Sequence, residues 1–284
     1  MFLIPLLLGA LATILPPLAL TALMAHNGHA ARLHPQLPLK TISWFFLIPL
    51  VSLLFFGSDV LSQVHLTDAV LGTGAIALIY LLALKAGARS NTAFTWATLG
   101  IIVYGLLRAY AWGSHLEPLH TEALNSAFEQ MRQIQQNIDE SVIQATLAAV
   151  NKLWPAQWMI TQILALFVGF ILFKSFSRID EPLFSRAFPA FYNLFILAVL
   201  PLYFIPSLRL YFFNALPPLC MIPFIQGVAV ANQKIASIFR SKVVRVVIMI
   251  LLLLNYITYI LLTLIGFAYM WKSPLILQQG DTPQ

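Results

Sequence analysis

Long apolar runs alternate along this chain with short polar joints that carry most of its Lys and Arg. Runs near the ~20 residues that take a helix across a bilayer occupy 2–24, 41–57, 67–84, 93–112, 155–175, 188–208, 212–231 and 243–270. Backbone groups in hydrocarbon must pair within their own segment, so these runs are helices and not open strands. The pattern predicts an all-α polytopic membrane protein, one membrane domain over residues 1–284, with about eight spans. The second and third are short. The first run lacks the basic start and small-residue cleavage site of a signal peptide, and it reads as a retained span. Prolines inside the runs (Pro5, Pro16, Pro17, Pro49, Pro201, Pro217, Pro218, Pro223) each remove a helical hydrogen bond, and kinks are expected there.

One polar segment, 113–154, is too long for a turn. Within it Leu124, Phe128, Met131, Ile134, Ile138, Val142 and Ala145 recur three or four apart, the period of an amphipathic helix. Glu122, Asn125, Glu129, Arg132, Gln133, Gln136, Asp139 and Glu140 fall on its other face. A lipid-surface helix usually carries a basic polar face. This face is net acidic, which favours docking on the protein's own outer surface or on a partner, with Leu124, Phe128, Met131 and Ile138 as interface candidates.

Composition agrees with the pattern: 60% of the chain is hydrophobic and 9% charged, against roughly 45–50% and about 25% in a soluble domain. The formal charge of +6 does not point to nucleic acid, because the basic residues sit in short loops where topology and lipid headgroups account for them. Arg32, Lys40, Lys85, Arg89, Lys174, Arg178, Arg186, Lys234, Arg240, Lys242 and Arg245 fall on one side of the eight spans. Arg108, Arg132, Lys152, Arg209 and Lys272 fall on the other. Eleven against five marks the first side as cytoplasmic and puts both termini outside.

Catalytic signatures are missing: there is no Gly-x-Ser-x-Gly, His-Glu-x-x-His, P-loop or Cys-x-x-Cys. The sole cysteine, Cys220, lies in an apolar run. Gly72, Gly74 and Ala77 match a dinucleotide fingerprint, but inside a span and with no preceding strand. Ala69, Thr73 and Ala77 instead form a small-residue face of the kind through which membrane helices approach, either within the chain or at a partner. His26, His29 and His34 cluster without an acidic or thiol companion, so neither metal nor cofactor is expected. His65, His115, His120, Asp59, Asp68 and Glu117 lie near outer span ends. They read as loop residues or, alternatively, as one shared polar pocket. No span carries a charge near its centre. Uncharged polar residues at membrane depth (Gln162, Asn193, Asn214, Gln226 and Asn255, with Tyr192, Tyr203, Tyr256 and Tyr259) mark either interhelical bonds or a cavity.

A pattern then emerges over 188–271: Phe188-Pro189 opening a span, Asn214 opening the next, Ile222-Pro223-Phe224-Ile225-Gln226-Gly227, a basic loop, and a last span reaching Gly266 and Trp271. With Leu153-Trp154-Pro155-Ala156, this resembles the YybS-like family of uncharacterised bacterial multi-span membrane proteins. The family's Asp and Arg around the final Trp are replaced here by Met270 and Lys272. Its layout is similar to the S components of energy-coupling-factor transporters. The resemblance implies residence in a bacterial inner membrane and a non-enzymatic subunit with an outward ligand cavity. Asn193, Asn214, Gln226, Gly227 and Asn255 are its candidate small-solute contacts. A scaffold for other membrane proteins is the alternative. A cysteine placed at Ser241 is expected to stay unlabelled by an impermeant thiol reagent in intact cells, and one at Ser126 to be labelled; the opposite result would invert the orientation.

Overall fold

The computed structural model describes residues 2–34, 36–56, 59–134, 140–177 and 187–279, and these form helices with no strand among them. Five helical stretches are long and apolar enough to cross a membrane: Leu37–Phe55, Val60–Lys85, Ser90–Gln130, Trp154–Ser177 and Pro206–Ile238. A bent pair, Lys242–Leu253 and Ile257–Lys272, makes a sixth if counted as one span. The structure thus supports a multi-pass all-α membrane protein with five or six long spans, and eight full spans are not what it displays.

The first difference lies at the amino end. The run 2–24 is not one helix but a hairpin, α1 (Leu3–Ala12) and α2 (Pro16–Leu33), broken where Pro16 and Pro17 cannot donate to a preceding turn. Phe2 packs its ring on Trp44 and shares a cleft with His26, His29 and Lys40, so α1 starts beside the far end of α2. Ten residues of α1 extend only about 15 Å, half a bilayer. α2 is the more polar arm, and it becomes the buried axis of the bundle: Leu20, Leu23, Met24 and Asn27 are fully enclosed.

α2 lies along α8 (Trp154–Ser177) in the same direction. Thr21 Oγ1 donates to the Ala165 carbonyl at 2.9 Å, Gly169 faces Met24, and Gly28 faces Phe173. Around this pair stand α3 (Leu37–Phe56), a composite span, and α6 (Ser90–Ile134). The composite span is α4 (Val60–Thr67), a π-helical stretch Asp68–Ala75, and α5 (Ile76–Lys85). It ends at Gly87, whose φ of 84° lets the Ala88 amide reach back to the Ala83 carbonyl, the left-handed stop that only glycine adopts without strain.

The face formed by Ala69, Thr73 and Ala77 is internal to the chain. All three are fully buried, Thr73 Oγ1 donates to the Pro16 carbonyl, and Gly72 abuts Tyr104 and Trp158. It is therefore spent on packing α5 and the π stretch, and it is not a docking surface for a partner.

α6 runs for 45 residues through Pro118 without interruption. At 1.5 Å per residue that is about 68 Å, against about 30 Å of hydrocarbon, so its second half must project beyond the bilayer. α7 (Glu140–Lys152) packs on it, with Asn151 Nδ2 donating to Thr121 Oγ1 at 2.7 Å. The amphipathic segment in 113–154 is thus a continuation of the fourth span paired with α7, and not a separate helix lying on the outer surface. Leu124 and Phe128 are half-buried. The side chains of Met131, Ile134, Ile138 and Val142 lie outside the described residues.

The remaining chain forms α9 (Tyr192–Val199), continued by short 3₁₀ turns, then α10 (Arg209–Leu219), α11 (Met221–Ile238), α12 (Lys242–Leu253) and α13 (Tyr256–Gln279). α11 and α13 meet backbone to backbone, because a Cβ on Gly227 would strike the Leu262 carbonyl and one on Gly266 the Pro223 carbonyl. Membrane helices gain little hydrophobic energy from meeting, so such glycine approaches carry their association. Gly227→Ala is expected to destabilise the detergent-solubilised protein by about 3 kcal/mol in thermal unfolding. Gly113→Ala, whose Cβ meets nothing within 4 Å, should instead stabilise by up to about 1 kcal/mol; equal effects would refute the close contact.

Candidate functional site

Tyr104 and Arg108 stand one turn apart on α6 and so share a face, as do Trp154 and Trp158 on α8. Asp68 opens the π stretch between them. Its Oδ1 accepts from the Tyr104 hydroxyl at 2.7 Å and from Arg108 Nε at 2.8 Å, and its Oδ2 lies 3.1 Å from the same Nε. The guanidinium carbon sits 4.9 Å from the Trp158 ring centre and 5.7 Å from that of Trp154, within cation–π range. Asp68 is 3% exposed and Arg108 8%. Two opposite charges are thus held in the bundle, the carboxylate satisfied by two donors and the cation by an aromatic cage. π-helical insertions concentrate at functional sites, and an ionisable pair at membrane depth is a functional marker by default.

The charge count put Asp68 and Arg108 near span ends, Asp68 as a loop residue or part of one shared polar pocket, and the structure buries both inside the bundle. Each lies within a turn or so of the end drawn for its span, where a count of loop charges includes it. The available signal was the spacing: an aromatic and an arginine four apart on one helix, two tryptophans four apart on another. Among the other outer-end residues, Asp59 caps α4, accepting from the Ser62 amide at 2.9 Å, and the Ser62 hydroxyl and amide hold its carboxyl below the usual range. His115 Nδ1 lies 3.2 Å from Ser114 Oγ.

A cleft of about 160 Å³ opens beside the ion pair, between α6, the α7–α8 junction and α10. Leu106, Ala109, Tyr110, Gly113 and Glu117 of α6 form one wall; Lys152, Trp154 and Pro155 form the second; Leu210, Tyr211 and Asn214 form the third. Trp154 belongs to both the cleft and the arginine cage. The volume is close to that of an apolar cavity of about 150 Å³ that takes up a benzene-sized guest.

The five uncharged candidates do not converge. Asn214 lines the cleft, where its Oδ1 accepts from the Ala156 amide at 3.1 Å and its Nδ2 donates to the Lys152 and Leu210 carbonyls. It thereby caps the start of α8 and fastens it to α10 and α7. Gln226 Oε1 accepts from the Phe188 amide at 3.0 Å, Asn193 Nδ2 donates to the Phe267 carbonyl at 3.1 Å, and Asn255 Oδ1 accepts from the Ile257 amide at 2.9 Å as the cap of α13. Gly227 is held against Leu262. Asn193 and Gly227 join α9 and α11 to α13, Gln226 ties α11 to the segment before α9, and Asn255 only caps α13; none of the four lines the cleft. Tyr203 stacks edge-on with Phe212 and Phe213, and Tyr259 lies flat on Phe224; the Tyr256 side chain is outside the described residues. His26 and His29 line the small cleft by Phe2, and His34 Nδ1 accepts from the Gln36 amide. Among the described residues no group of three His, Cys, Asp or Glu is arranged to hold a metal.

No protein-family model matches the chain, and no curated protein or solved structure is significantly similar to it.

Removing one partner of a buried ion pair leaves a desolvated charge, which costs about 3–5 kcal/mol, whereas replacing both by apolar groups of similar volume is often neutral. Asp68→Leu is therefore expected to destabilise the protein by that amount in detergent unfolding. Asp68→Leu with Arg108→Met should recover most of the loss, and simple additivity of the two single substitutions would show that the pair is not coupled.

Proposed function

We propose that this protein is a non-enzymatic membrane subunit that binds a small solute in the cleft between α6, the α7–α8 junction and α10. The observation that carries this reading is the cleft's lining. Three large rings, Tyr110, Tyr211 and Trp154, stand beside an exposed cation, Lys152, and an exposed anion, Glu117. Apolar walls with a few convergent polar groups are the usual form of a small-molecule site. A benzene-sized space flanked by opposite charges suits a flat solute carrying both a basic and an acidic or hydrogen-bonding group. The resemblance to YybS-like proteins and to transporter S components supports the reading by layout only.

The basic side of the bundle is taken as the cytoplasmic face of a bacterial inner membrane. α6 then carries the cleft to the outer end, where a solute arrives. Phe2, packed beside His26 and His29, lies with the basic side under this orientation. The amino end is then cytoplasmic, contrary to the outside position expected from a single first span, while α13 runs back toward the outer side.

A second reading is favoured by one observation. The α6–α7 hairpin projects well past the bilayer, with Glu122, Glu129 and the alternating apolar positions Leu124 and Phe128 along its length. Such a stalk suits a scaffold that recruits other membrane proteins.

One measurement separates the two. Native mass spectrometry of protein purified in mild detergent is expected to show a stoichiometric small molecule, lost in Lys152→Gln and Tyr110→Ala proteins that unfold at the parent temperature. Stoichiometric protein partners that are released by Phe128→Asp, with no bound metabolite, would replace the first reading by the second.

A further inference from the structure

Away from the solute cleft, the core of the bundle holds polar side chains of its own. Contacts fix a common register for α2, α6 and α8. Along α2 and α8, Thr21 lies beside Ala165, Met24 beside Gly169 and Gly28 beside Phe173. α6 runs the opposite way: Gly105 meets Met159, Tyr104 meets Trp158, and Phe94 meets Phe167 and Phe170. On this register the Asp68–Arg108 pair is level with Trp158. Gln162 stands one turn further along α8, Thr98 of α6 falls opposite the next turn, and Asn27 of α2 is nearly level with Lys174.

Asn27, Thr98 and Gln162 are 0% exposed, and Lys174 is 4% exposed. Among the described residues, both amide atoms of Asn27, both of Gln162 and the Thr98 hydroxyl have no hydrogen-bond partner. They occupy the same buried stripes as the core: Asn27 follows Leu20, Leu23 and Met24 on α2, and Gln162 sits among Met159, Ile163 and Leu166 on α8. Nor can Asn27 and Gln162 satisfy each other, since about ten residues of α8, on the order of 15 Å, separate their levels. A primary amide carries two donors and an acceptor with two lone pairs, and leaving all of them unmade in a bundle core is strongly unfavourable. No described residue supplies the partner. It must donate and accept at one position, and it must fit between close-packed side chains. Water meets all three conditions, and buried waters are held by such groups with two to four bonds each.

We propose that the core of α2, α6 and α8 binds ordered water at two steps, one held by Gln162 and Thr98 and one by Asn27. These steps hydrate the interior between the Asp68–Arg108 pair at one end and Lys174 at the other. The polar steps follow the bundle axis, so they give the protein a hydrated core where its amphipathic pattern shows only apolar stripes.

Radiolytic oxidation tests this, because X-ray pulses generate hydroxyl radicals from bound water inside a core that bulk radicals do not enter. Met159 and Met24, both 0% exposed, stand one turn from Gln162 and Asn27, so each is the internal control for the other's substitution. Both are expected to be oxidised in the parent protein despite their burial. In Gln162→Leu the Met159 signal should fall several-fold with Met24 unchanged, and in Asn27→Leu the pattern should reverse. Thermal unfolding is recorded for each variant, and Thr98→Val replaces Gln162→Leu if the latter does not fold. Met159 and Met24 that stay unoxidised in the parent, or signals unmoved by the substitutions, would overturn the proposal.

Discussion

The close, parallel contact of α2 with α8 is the constraint on which the rest of the bundle depends. In lipid the hydrophobic effect does not drive helices together, and their association rests on close packing and polar bonds. Here the approach is as near as backbones allow. A Cβ on Gly28 would lie 2.6 Å from the Phe173 carbonyl oxygen, one on Gly169 would lie 2.8 Å from Met24 Cβ, and Thr21 Oγ1 bonds the Ala165 carbonyl across the seam. Because α2 is spent as the axis, its Asn27 can stay enclosed by protein and away from lipid, while His29 and Arg32 reach the exposed end. α1 is left as a half-length arm against α3. Every other span then leans on a core whose centre is a helix too polar to stand alone in hydrocarbon.

That arrangement explains where polarity is tolerated. The rings of Tyr80, Phe94, Phe170 and Phe173 form a connected aromatic layer around the α2–α8 seam. Beyond it, toward the end of the bundle that carries α7, comes the Asp68–Arg108 pair with Tyr104 and two tryptophans. A buried ion pair adds little net stability over an apolar replacement, but it tolerates only arrangements in which both charges are met. The π stretch at Asp68–Ala75 and the start of α8 are therefore held in one mutual position by an interaction that penalises every alternative. The small residues Gly72, Thr73 and Gly74 let α3, α2 and α6 crowd against that same stretch.

Helix class and the presence of several long apolar spans were legible in the sequence because both follow from a summed property, hydropathy over about 20 residues; the number of spans was not, because it depends on where each run breaks. The small-residue face at Ala69, Thr73 and Ala77 was legible too, though not what it faces, since glycine and alanine spacing marks a close approach without naming the neighbour. What periodicity could not give was three-dimensional pairing. The hairpin at Pro16 hides inside one apolar run of bilayer length. α6 hides its continuity because the run ends near Trp112 while the helix does not. Asp68 and Arg108 sit at the margins of their runs, where a charge reads as the end of a span, and only the opposing helix shows that the two margins meet. The amides at Asn193 and Gln226 were recognised as polar groups needing partners, and those partners, the Phe267 carbonyl and the Phe188 amide, belong to segments far away in sequence.

The end of the molecule that carries α7 joins its two most distinctive parts mechanically. α6 is one continuous helix, so the segment that carries Tyr104 and Arg108, the segment that walls the cleft and the segment that projects from the membrane are a single rod. α7 returns along that rod and ends at Lys152, whose carbonyl is clamped by Asn214 together with the first turn of α8. Trp154, two residues further on, lies at once over the guanidinium and in the cleft wall. A load applied to the α6–α7 stalk therefore reaches the cleft through two routes, the rod itself and the Asn214 clamp. On the proposed reading, solute binding and partner docking would for this reason not be independent: a partner that shifted α7 would reposition Lys152 and Trp154, and a solute held in the cleft would resist that shift, which is the reciprocity that coupled sites must obey.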